Sequence, residues 1–360
     1  MIHDIAIVGA GIAGATLAAE LVAHASVVVL EGESMPGYHA TGRSAAFWSE
    51  TYGGPAIQPL TSASRAAFDA GGFLEPLGSL HIGRAADAAK IDAFLAAFAG
   101  TGVALERVDP GATIPGLREA WTLGIYEPSC AYIDVAALHA AALAAVRRSG
   151  GALVTDAAVT AASRQDGIWT LDTTAGAFRA RVLVDAAGAW ADGVARLAGA
   201  CPIGITPYRR TVVQLRTDPA PPATLPHVAD IAGGFYFKPE AGGRLWISPH
   251  DETQTDACDA QPEELDVAIA IDRFEQVVDW RVAQVERRWA GLRSFAPDRR
   301  PVYGFDRQVA GFFWCAGQGG FGIQTAPAAA MVAAALLLEK SPDPAVAAID
   351  PAQYAPQRFG

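Results

Sequence analysis

A chain of 360 residues, 51% of them hydrophobic, can bury a sizeable core in one large domain or in two intertwined domains. Its formal charge of −11 argues against nucleic acid and anionic membrane surfaces as partners. The four cysteines lie far apart without a CxxC pair, which predicts neither a metal site nor a disulfide framework and indicates a reducing compartment, the cytoplasm.

The N-terminal residues carry the pattern of a dinucleotide-binding unit. A buried strand at 4–8 runs into a glycine loop, an apolar helix follows over 15–23, and a second strand at 26–30 ends at Glu31. The loop has the GxGxxG spacing and consists of Gly9, Ala10, Gly11, Ile12, Ala13 and Gly14. In such a unit a pyrophosphate lies at the helix N-terminus, and the acid at the end of the second strand binds the ribose. We therefore predict dinucleotide binding; the alternative is a glycine turn in another kind of α/β protein.

Beyond Glu31 the pattern predicts alternating helices and strands. Glycines and small residues at 36–46 favour a loop and then the start of a helix. The other predicted helices cover 60–70, 86–99 and 135–148. The predicted strands cover 78–83, 152–154, 168–172 and 181–185.

The middle of the chain, from about residue 206 to residue 295, has a different character. Short strands at 212–215, 235–238 and 244–248 predict an antiparallel sheet that covers the substrate, and a helix is predicted over 262–285.

The C-terminal part returns to α/β, with a strand at 312–315, a second glycine loop at 316–324 and a helix over 326–339. The apolar run at 326–338 is too short to span a bilayer, and the first residues lack the features of a signal peptide.

Six stretches, in this order along nearly the whole chain, resemble the D-amino-acid oxidase/glycine oxidase superfamily of FAD enzymes, and within it the D-arginine dehydrogenases. These stretches are 9–14 with Glu31, 36–46, 185–190, 235–239, 289–295 and 318–325. The resemblance implies an α/β fold in which a Rossmann-like FAD-binding domain of the glutathione-reductase type is interleaved with a mostly antiparallel β-sheet substrate domain. The implied FAD-binding segments are 1–80, 135–203 and 289–360, and the implied substrate segments are 81–134 and 204–288.

The same resemblance implies a non-covalent FAD and the residues that meet it. Besides 9–14 and Glu31, these are Gly32, Thr41, Gly42, Arg43, Ser44, Ala45, Ala46, Val159, Ala187, Gly188, Trp190, Gly319, Gly320, Phe321, Gly322, Ile323 and Gln324. The N–H groups of the second glycine loop are expected at the pyrimidine edge of the flavin, where reduction places negative charge. Cys315 matches no site of covalent flavin attachment and is expected in the core.

Two arginines resemble the pair that binds the substrate carboxylate in D-arginine dehydrogenase. Arg210 and Arg293 are suited to this role because a planar guanidinium matches a carboxylate with two parallel hydrogen bonds. The alternative is that both are surface arginines. The adjacent Arg209 should point to the opposite side if this segment is a strand.

The remaining predicted site residues surround the same pocket. Tyr52 and Tyr236 match tyrosines that line it, with ordinary amphipathic aromatics as the alternative, and Gly320 matches a glycine whose carbonyl receives the substrate amine. Two positions depart from the D-arginine dehydrogenases: Phe47 replaces a histidine that faces the substrate, and His81 replaces a glutamate that pairs with a basic side chain. The alternative for His81 is a strand histidine with a structural role.

The implied activity is oxidation of the Cα–N bond of D-amino acids with neutral side chains, by hydride transfer to flavin N5. The imino acid then hydrolyses to a 2-oxo acid and ammonia. The alternatives are an oxidase that uses O2 and acts on a secondary amine or a 2-hydroxy acid, and a flavin-binding module without turnover. The expected partners are the amino acid and an electron acceptor (a quinone, a dye or O2), in a monomer or a homodimer.

Overall fold

The computed structural model describes residues 1–359, which form two large sheets, one small sheet and seven α-helices. The helices are α1 (Ile12–Leu21), α2 (Gln58–Gly71), α3 (Ala88–Ala97), α4 (Val135–Arg148), α5 (Ala191–Leu197), α6 (Glu264–Glu275) and α7 (Gly322–Leu338). The strands are β1 (His3–Val8), β2 (Val27–Leu30), β3 (Phe47–Trp48), β4 (Leu74–Pro76), β5 (Ser79–Arg84), β6 (Glu106–Val108), β7 (Trp121–Glu127), β8 (Ala131–Ile133), β9 (Ala152–Val154), β10 (Val159–Gln165), β11 (Ile168–Thr173), β12 (Gly176–Asp185), β13 (Thr206–Asp218), β14 (His227–Asp230), β15 (Tyr236–Glu240), β16 (Arg244–Ser248), β17 (Thr253–Gln254), β18 (Arg281–Phe295), β19 (Val302–Phe305), β20 (Phe312–Ala316) and β21 (Gln318–Gly319). None of these helices combines the length and the apolarity that crossing a membrane requires.

The first sheet carries the N-terminal glycine motif. Its strand order is β10-β11-β12-β1-β2-β9, with β20 paired to β12 and β19 paired to β20. Strand β1 runs parallel to both β2 and β12, and apolar clusters cover both faces of the sheet. The carboxyl ends of β1 and β2 therefore meet beside the N-terminus of α1, where α/β sheets commonly bind ligands.

The second sheet places the two candidate arginines side by side. Its order is β21-β18-β13-β16-β15-β14-β5-β7-β6, with β17 paired to β13. The antiparallel register of β13 and β18 sets Tyr208 opposite Arg293 and Arg210 opposite Gly291. Because alternate residues of a strand share a face, Arg210 and Arg293 lie on the same face of neighbouring strands. The two sheets confirm the predicted fold class.

The predicted helix over 262–285 is only half correct. Helix α6 ends at Glu275, and Arg281 begins β18, because residues 281–285 extend the pairing with β13. The implied domain boundary after residue 288 consequently falls inside one continuous strand.

The predicted helix start within 36–46 is wrong. The stretch forms turns and leads into strand β3, which pairs with β8. Arg43 anchors these turns to the second sheet's loops, since its guanidinium pairs with Asp259 and donates to the carbonyl of Ala260 at 2.9 Å. A contact with a distant loop thus determines a conformation that local propensity did not predict.

Candidate active site

A cavity of about 700 Å³ is lined by residues of both large sheets. Glu31, which follows β2, and residues 157–159, which lie between β9 and the first residue of β10, line the part that we call the nucleotide end. The part that we call the sheet end is lined by Phe47, Tyr52, Arg210, Val212, Tyr236, Leu292 and Arg293. The two glycine loops lie along the same cavity.

The first glycine loop is packed so closely that side chains are excluded from it. Gly9 has φ +99°, and a Cβ there would lie 2.5 Å from the carbonyl oxygen of Ala186. A Cβ on Gly14 would lie 2.0 Å from the carbonyl oxygen of Gly9. The loop therefore brings bare backbone and the start of α1 to the cavity, which is the arrangement a pyrophosphate needs.

The carboxylate of Glu31 lies beside this loop. It accepts hydrogen bonds from the amides of Ala10 at 2.8 Å and Glu33 at 3.0 Å, one on each oxygen. Each oxygen retains a lone pair that can accept from a ribose hydroxyl. The amide of Ile12 at the start of α1 donates to the hydroxyl of Thr41 at 2.9 Å, so the second predicted segment also reaches the loop. These residues fit the pyrophosphate and ribose of a dinucleotide.

Most of the predicted cofactor residues line the cavity. They are Gly9, Gly11, Ile12, Ala13, Glu31, Gly32, Thr41, Arg43, Ser44, Ala45, Ala46, Val159, Ala187, Gly188, Trp190, Gly319, Gly320, Gly322, Ile323 and Gln324. Ala10, Gly14 and Gly42 lie behind that lining, and the Phe321 ring packs with Ile57 and Phe295 instead. The sequence missed Tyr38, His39, Ala157, Ala158 and Leu197 as lining residues.

Glu252 links the candidate carboxylate-binding arginines. Its Oε1 accepts from Nη1 of Arg293 at 3.1 Å and from Nη2 of Arg299 at 2.8 Å, and it lies 3.4 Å from Nη2 of Arg210. Burial, and then the neighbouring Arg293, lowers the pKa of Arg210 from its usual value. Three guanidinium groups therefore face two acids, Glu252 and Asp251, whose Oδ1 lies 3.8 Å from Nε of Arg210, and this leaves this end of the cavity electropositive. The sequence analysis did not identify Glu252, because it lies in the turn after β16.

Arg293 also contacts two other predicted site residues. Its Nη2 donates to the hydroxyl of Tyr52, and a Cβ on Gly320 would lie 2.0 Å from that nitrogen. A side chain at position 320 would therefore displace this guanidinium from its present position. The structure thus brings Tyr52, Arg293 and Gly320 together, although they come from three distant parts of the sequence.

Aromatic and apolar side chains form the rest of the sheet end. The Phe47 ring lies 5.2 Å from the Tyr52 ring and 6.3 Å from the Tyr236 ring, centroid to centroid. Val212 and Leu292 add apolar surface. The sequence analysis missed both, although strand alternation from Arg210 points to Val212.

His81 does not line the cavity, which corrects its predicted place beside the substrate side chain. Its Nε2 lies 3.3 Å from the hydroxyl of Thr51 and 3.9 Å from Oε2 of Glu127, and its ring packs on Phe94. Strand β5, which carries His81, pairs with β7, so the imidazole belongs to the polar cluster around Glu127. The sequence does not reveal this place of His81, because the contact with Glu127 depends on the pairing of β5 with β7.

Arg209 faces away from the cavity, as strand alternation predicted. Its guanidinium pairs with Glu263 and with Asp266 of helix α6, the latter at 2.9 Å.

Comparison with known proteins agrees with this architecture. The DAO family, described as FAD dependent oxidoreductase, matches residues 4–336. Mitochondrial dimethylglycine dehydrogenase from Mus musculus is 27% identical over 252 residues, which cover 64% of this chain and 29% of that protein. Glycine oxidase from Geobacillus kaustophilus (strain HTA426) is 29% identical over 224 residues, which cover 62% of this chain and 58% of the relative. The chain thus spans less than two thirds of either relative.

Solved structures match over almost the whole chain. The crystal structure of glycine oxidase from Geobacillus kaustophilus has a TM-score of 0.84 at 25% identity and covers 98% of each chain. L-proline dehydrogenase from P. horikoshii has a TM-score of 0.86 at 20% identity, over 99% of this chain and 98% of that one, and shows the fold alone. Together with the cradle around Gly9, the match to the DAO family identifies the cofactor as FAD.

Proposed function

Because the chain belongs to the DAO family of FAD dependent oxidoreductases, we propose that it oxidises the Cα–N bond of D-amino acids with neutral side chains. One observation carries this proposal: Arg210 and Arg293 lie on the same face of neighbouring strands and line the cavity that also contains both glycine loops. Two guanidinium groups in that position suit a substrate with a carboxylate next to its reacting carbon.

Five residues that line the cavity then have roles. Arg210 and Arg293 hold the carboxylate, and the carbonyl of Gly320 accepts a hydrogen bond from the amine. Phe47 and Tyr236 exclude water from the reacting carbon, which strengthens the polar contacts within the site. FAD supplies the acceptor for the two electrons. The imino acid that leaves the site reacts with water to give a 2-oxo acid and ammonia.

Anaerobic mixing with a panel of D- and L-amino acids tests this function. We expect D-amino acids with neutral side chains to bleach the flavin absorbance. A flavin that no amino acid or amine reduces would contradict the proposal and would leave a flavin-binding module without turnover.

A second candidate is oxidation of glycine or of a secondary amine such as sarcosine. The similarity to dimethylglycine dehydrogenase and glycine oxidase favours it, and so does the close approach of the Phe47, Tyr52 and Tyr236 rings, which suits small substrates. Glycine and sarcosine in the same panel distinguish the candidates, and an oxygen electrode then tells O2 from a dye or quinone as acceptor.

The flavin is expected to be bound without a covalent link. Cys315, in β20, is buried, and burial together with the nearby Asp185 raises the pKa of its thiol to about 12. The thiol therefore stays protonated and is a poor nucleophile near neutral pH. Acid precipitation should release the yellow colour into the supernatant, whereas colour that remains in the pellet would show a covalent link.

The value of kcat/KM is expected to rise with pH and then level off. The Cα–H bond can break with its electron pair only when the amine has a free lone pair. Burial and the charge of Arg210 lower the pKa of His250 to about 4, and burial raises the pKa of Tyr236. Neither group changes charge between about pH 6 and 9, so the profile reports the substrate amine. A flat profile, with a deuterium effect showing that Cα–H cleavage limits the rate, would contradict this prediction.

A further inference from the structure

A buried carboxylate lies outside the cavity, behind the segment that carries Tyr52. Glu127, the last residue of β7, has no exposed surface and does not line the cavity. Within residues 1–359, the one basic group inside 4.0 Å of it is His81, with Nε2 at 3.9 Å. A buried carboxylate without a close cation must be stabilised by hydrogen-bond donors.

Three of the donors come from consecutive residues, and the hydroxyl of Ser129 adds a longer hydrogen bond to Oε1 at 3.4 Å. Oε2 of Glu127 accepts from the hydroxyls of Ser49 at 2.8 Å and Thr51 at 2.6 Å, and Oε1 accepts from the amide of Glu50 at 2.7 Å. Burial acts to raise the pKa of Glu127, but His81 and the hydroxyls of Thr51 and Ser49 outweigh it and hold the pKa below its usual value. The carboxylate is therefore an anion that holds residues 49–51 through charge-assisted hydrogen bonds.

Residues 49–51 connect two side chains of the sheet end. Phe47 lies just before them and Tyr52 just after, and both line the cavity. On the other side, Gln324 of helix α7 accepts from the amide of Ser49 at 3.3 Å and donates to the carbonyl of Tyr52 at 2.9 Å. The segment is therefore held from both sides, by Glu127 and by the helix that follows the second glycine loop.

Two glycines follow Tyr52 in the chain. Gly53 and Gly54 have φ values of +96° and +78°. Glycine adopts positive and negative φ values about equally well, so it does not by itself fix this conformation. If the contact with Glu127 were lost, Tyr52 would keep its contacts with Gln324 and Arg293, but the segment before it would lose its charge-assisted hydrogen bonds.

We propose that Glu127 is a positioning residue for the substrate site: it holds residues 49–51 so that the hydroxyl of Tyr52 stays against Arg293. The proposal rests on the proposed function in taking Arg293 as a ligand of the substrate carboxylate. Glu127 itself touches neither the cavity nor the reacting atoms.

The test compares the holoenzyme with Glu127→Gln and with Thr51→Val, a milder variant that removes one donor. Benzoate serves as the carboxylate probe, and its Kd is read from the shift of the flavin spectrum. We expect Glu127→Gln to raise this Kd at least about tenfold, the scale for hydrogen bonds to a charged group. Thr217→Val is the matched control, because Thr217 is a buried threonine whose hydroxyl donates to Pro219 at the far end of β13. It should leave the Kd unchanged.

A double-mutant cycle separates positioning from general stability. In a Tyr52→Phe background, the effect of Glu127→Gln on the benzoate Kd should fall below about twofold, because the contact through which it acts is already absent. Amide hydrogen exchange of peptides over 49–54 should be at least about tenfold faster in Glu127→Gln than in the wild type, with peptides over β1 unchanged. A residue that only stabilises the fold would show none of this selectivity.

The proposal fails if Glu127→Gln and Thr51→Val both leave the benzoate Kd and the exchange of 49–54 unchanged. It also fails if the effects of Glu127→Gln and Tyr52→Phe are additive. Should Glu127→Gln not fold, Thr51→Val carries the same comparisons. The exchange measurement requires neither turnover nor benzoate. It therefore tests whether Glu127 holds residues 49–51 even if no amino acid reduces the flavin. That last result would contradict the proposed function alone.

Discussion

Replacing Arg293 with methionine is expected to weaken transition-state stabilisation by about 2–5 kcal/mol, the scale for truncating one partner of a buried charge pair. The guanidinium lies between the Tyr52 hydroxyl and Glu252, next to Gly320. Methionine fills part of this volume but supplies no donor, so both the substrate carboxylate and Glu252 lose a partner. The measurement is kcat/KM for the best amino acid of the panel, expressed per bound flavin.

Arg210→Met should have an effect of similar size. Arg210 is 6% exposed, and its Nε donates to the carbonyl of Asp251 at 2.7 Å, which fixes the guanidinium toward the cavity. Flavin content should survive both substitutions, because neither arginine forms a hydrogen bond with the first glycine loop or with Glu31, although Arg293 lies against Gly320 of the second glycine loop.

Arg209→Met is the matched control for the arginine pair. Arg209 precedes Arg210 in the same strand, but its guanidinium pairs with Glu263 and Asp266 on the opposite face. We expect Arg209→Met to lower stability and to leave kcat/KM per flavin within about twofold of the wild type. A wild-type kcat/KM for Arg293→Met would contradict a role of this residue in carboxylate binding. If kcat/KM fell as much in Arg209→Met as in Arg210→Met, the effect would not be specific to the cavity face of the strand.

The parts of the fold that the sequence predicted well are those that local signals determine. Helix α4 has its predicted bounds, since the Asp134 side chain accepts from the amide of Ala137 at its start and Gly150 follows its end. The strand–glycine loop–helix unit at the N-terminus was predicted equally well, because Gly9 needs a positive φ and Gly14 must leave room for the carbonyl of Gly9 in the same loop.

The parts that the sequence did not predict depend on partners far away in the chain. Residues 281–285 are strand because β13 lies beside them, although their own pattern is compatible with a helix. The place of His81 depends in the same way on Glu127, which is brought to it by the pairing of β5 with β7. Glu252 was missed because nothing in a turn sequence indicates that three arginines converge on it.

A glutamate substituted for His81 would not supply a partner for a cationic substrate side chain, because position 81 is outside the cavity lining. A glutamate there would face Glu127 in a buried cluster, not the substrate, so two carboxylates would compete for the hydroxyl of Thr51. We therefore attribute side-chain preference to the cavity lining alone. Glu50 is also outside the lining, and its carboxylate accepts from Ser62 at 2.5 Å and Ser129 at 3.0 Å.

D-leucine is expected to exceed D-arginine in kcat/KM by at least about 30-fold, or ~2 kcal/mol, because the sheet end offers no partner for a cationic side chain. Among the described residues, the carboxylates that line the cavity are those of Glu31 and Glu33, both near the nucleotide end. The charged residues of the sheet end are Arg210 and Arg293, which would repel a second cation.

D-citrulline separates the charge of the side chain from its size, because it is nearly the same shape as D-arginine and neutral. If charge decides, D-citrulline should approach D-leucine in kcat/KM while D-arginine remains low. If kcat/KM is equally low for D-citrulline and D-arginine, the spacing of the Phe47, Tyr52 and Tyr236 rings limits the length of the substrate side chain instead. Glycine or sarcosine should then be the better substrates. A wild-type preference for D-arginine would contradict the prediction, because it requires an acid at the sheet end, where the lining has only Phe47, Tyr52, Tyr236, Val212, Leu292 and the two arginines.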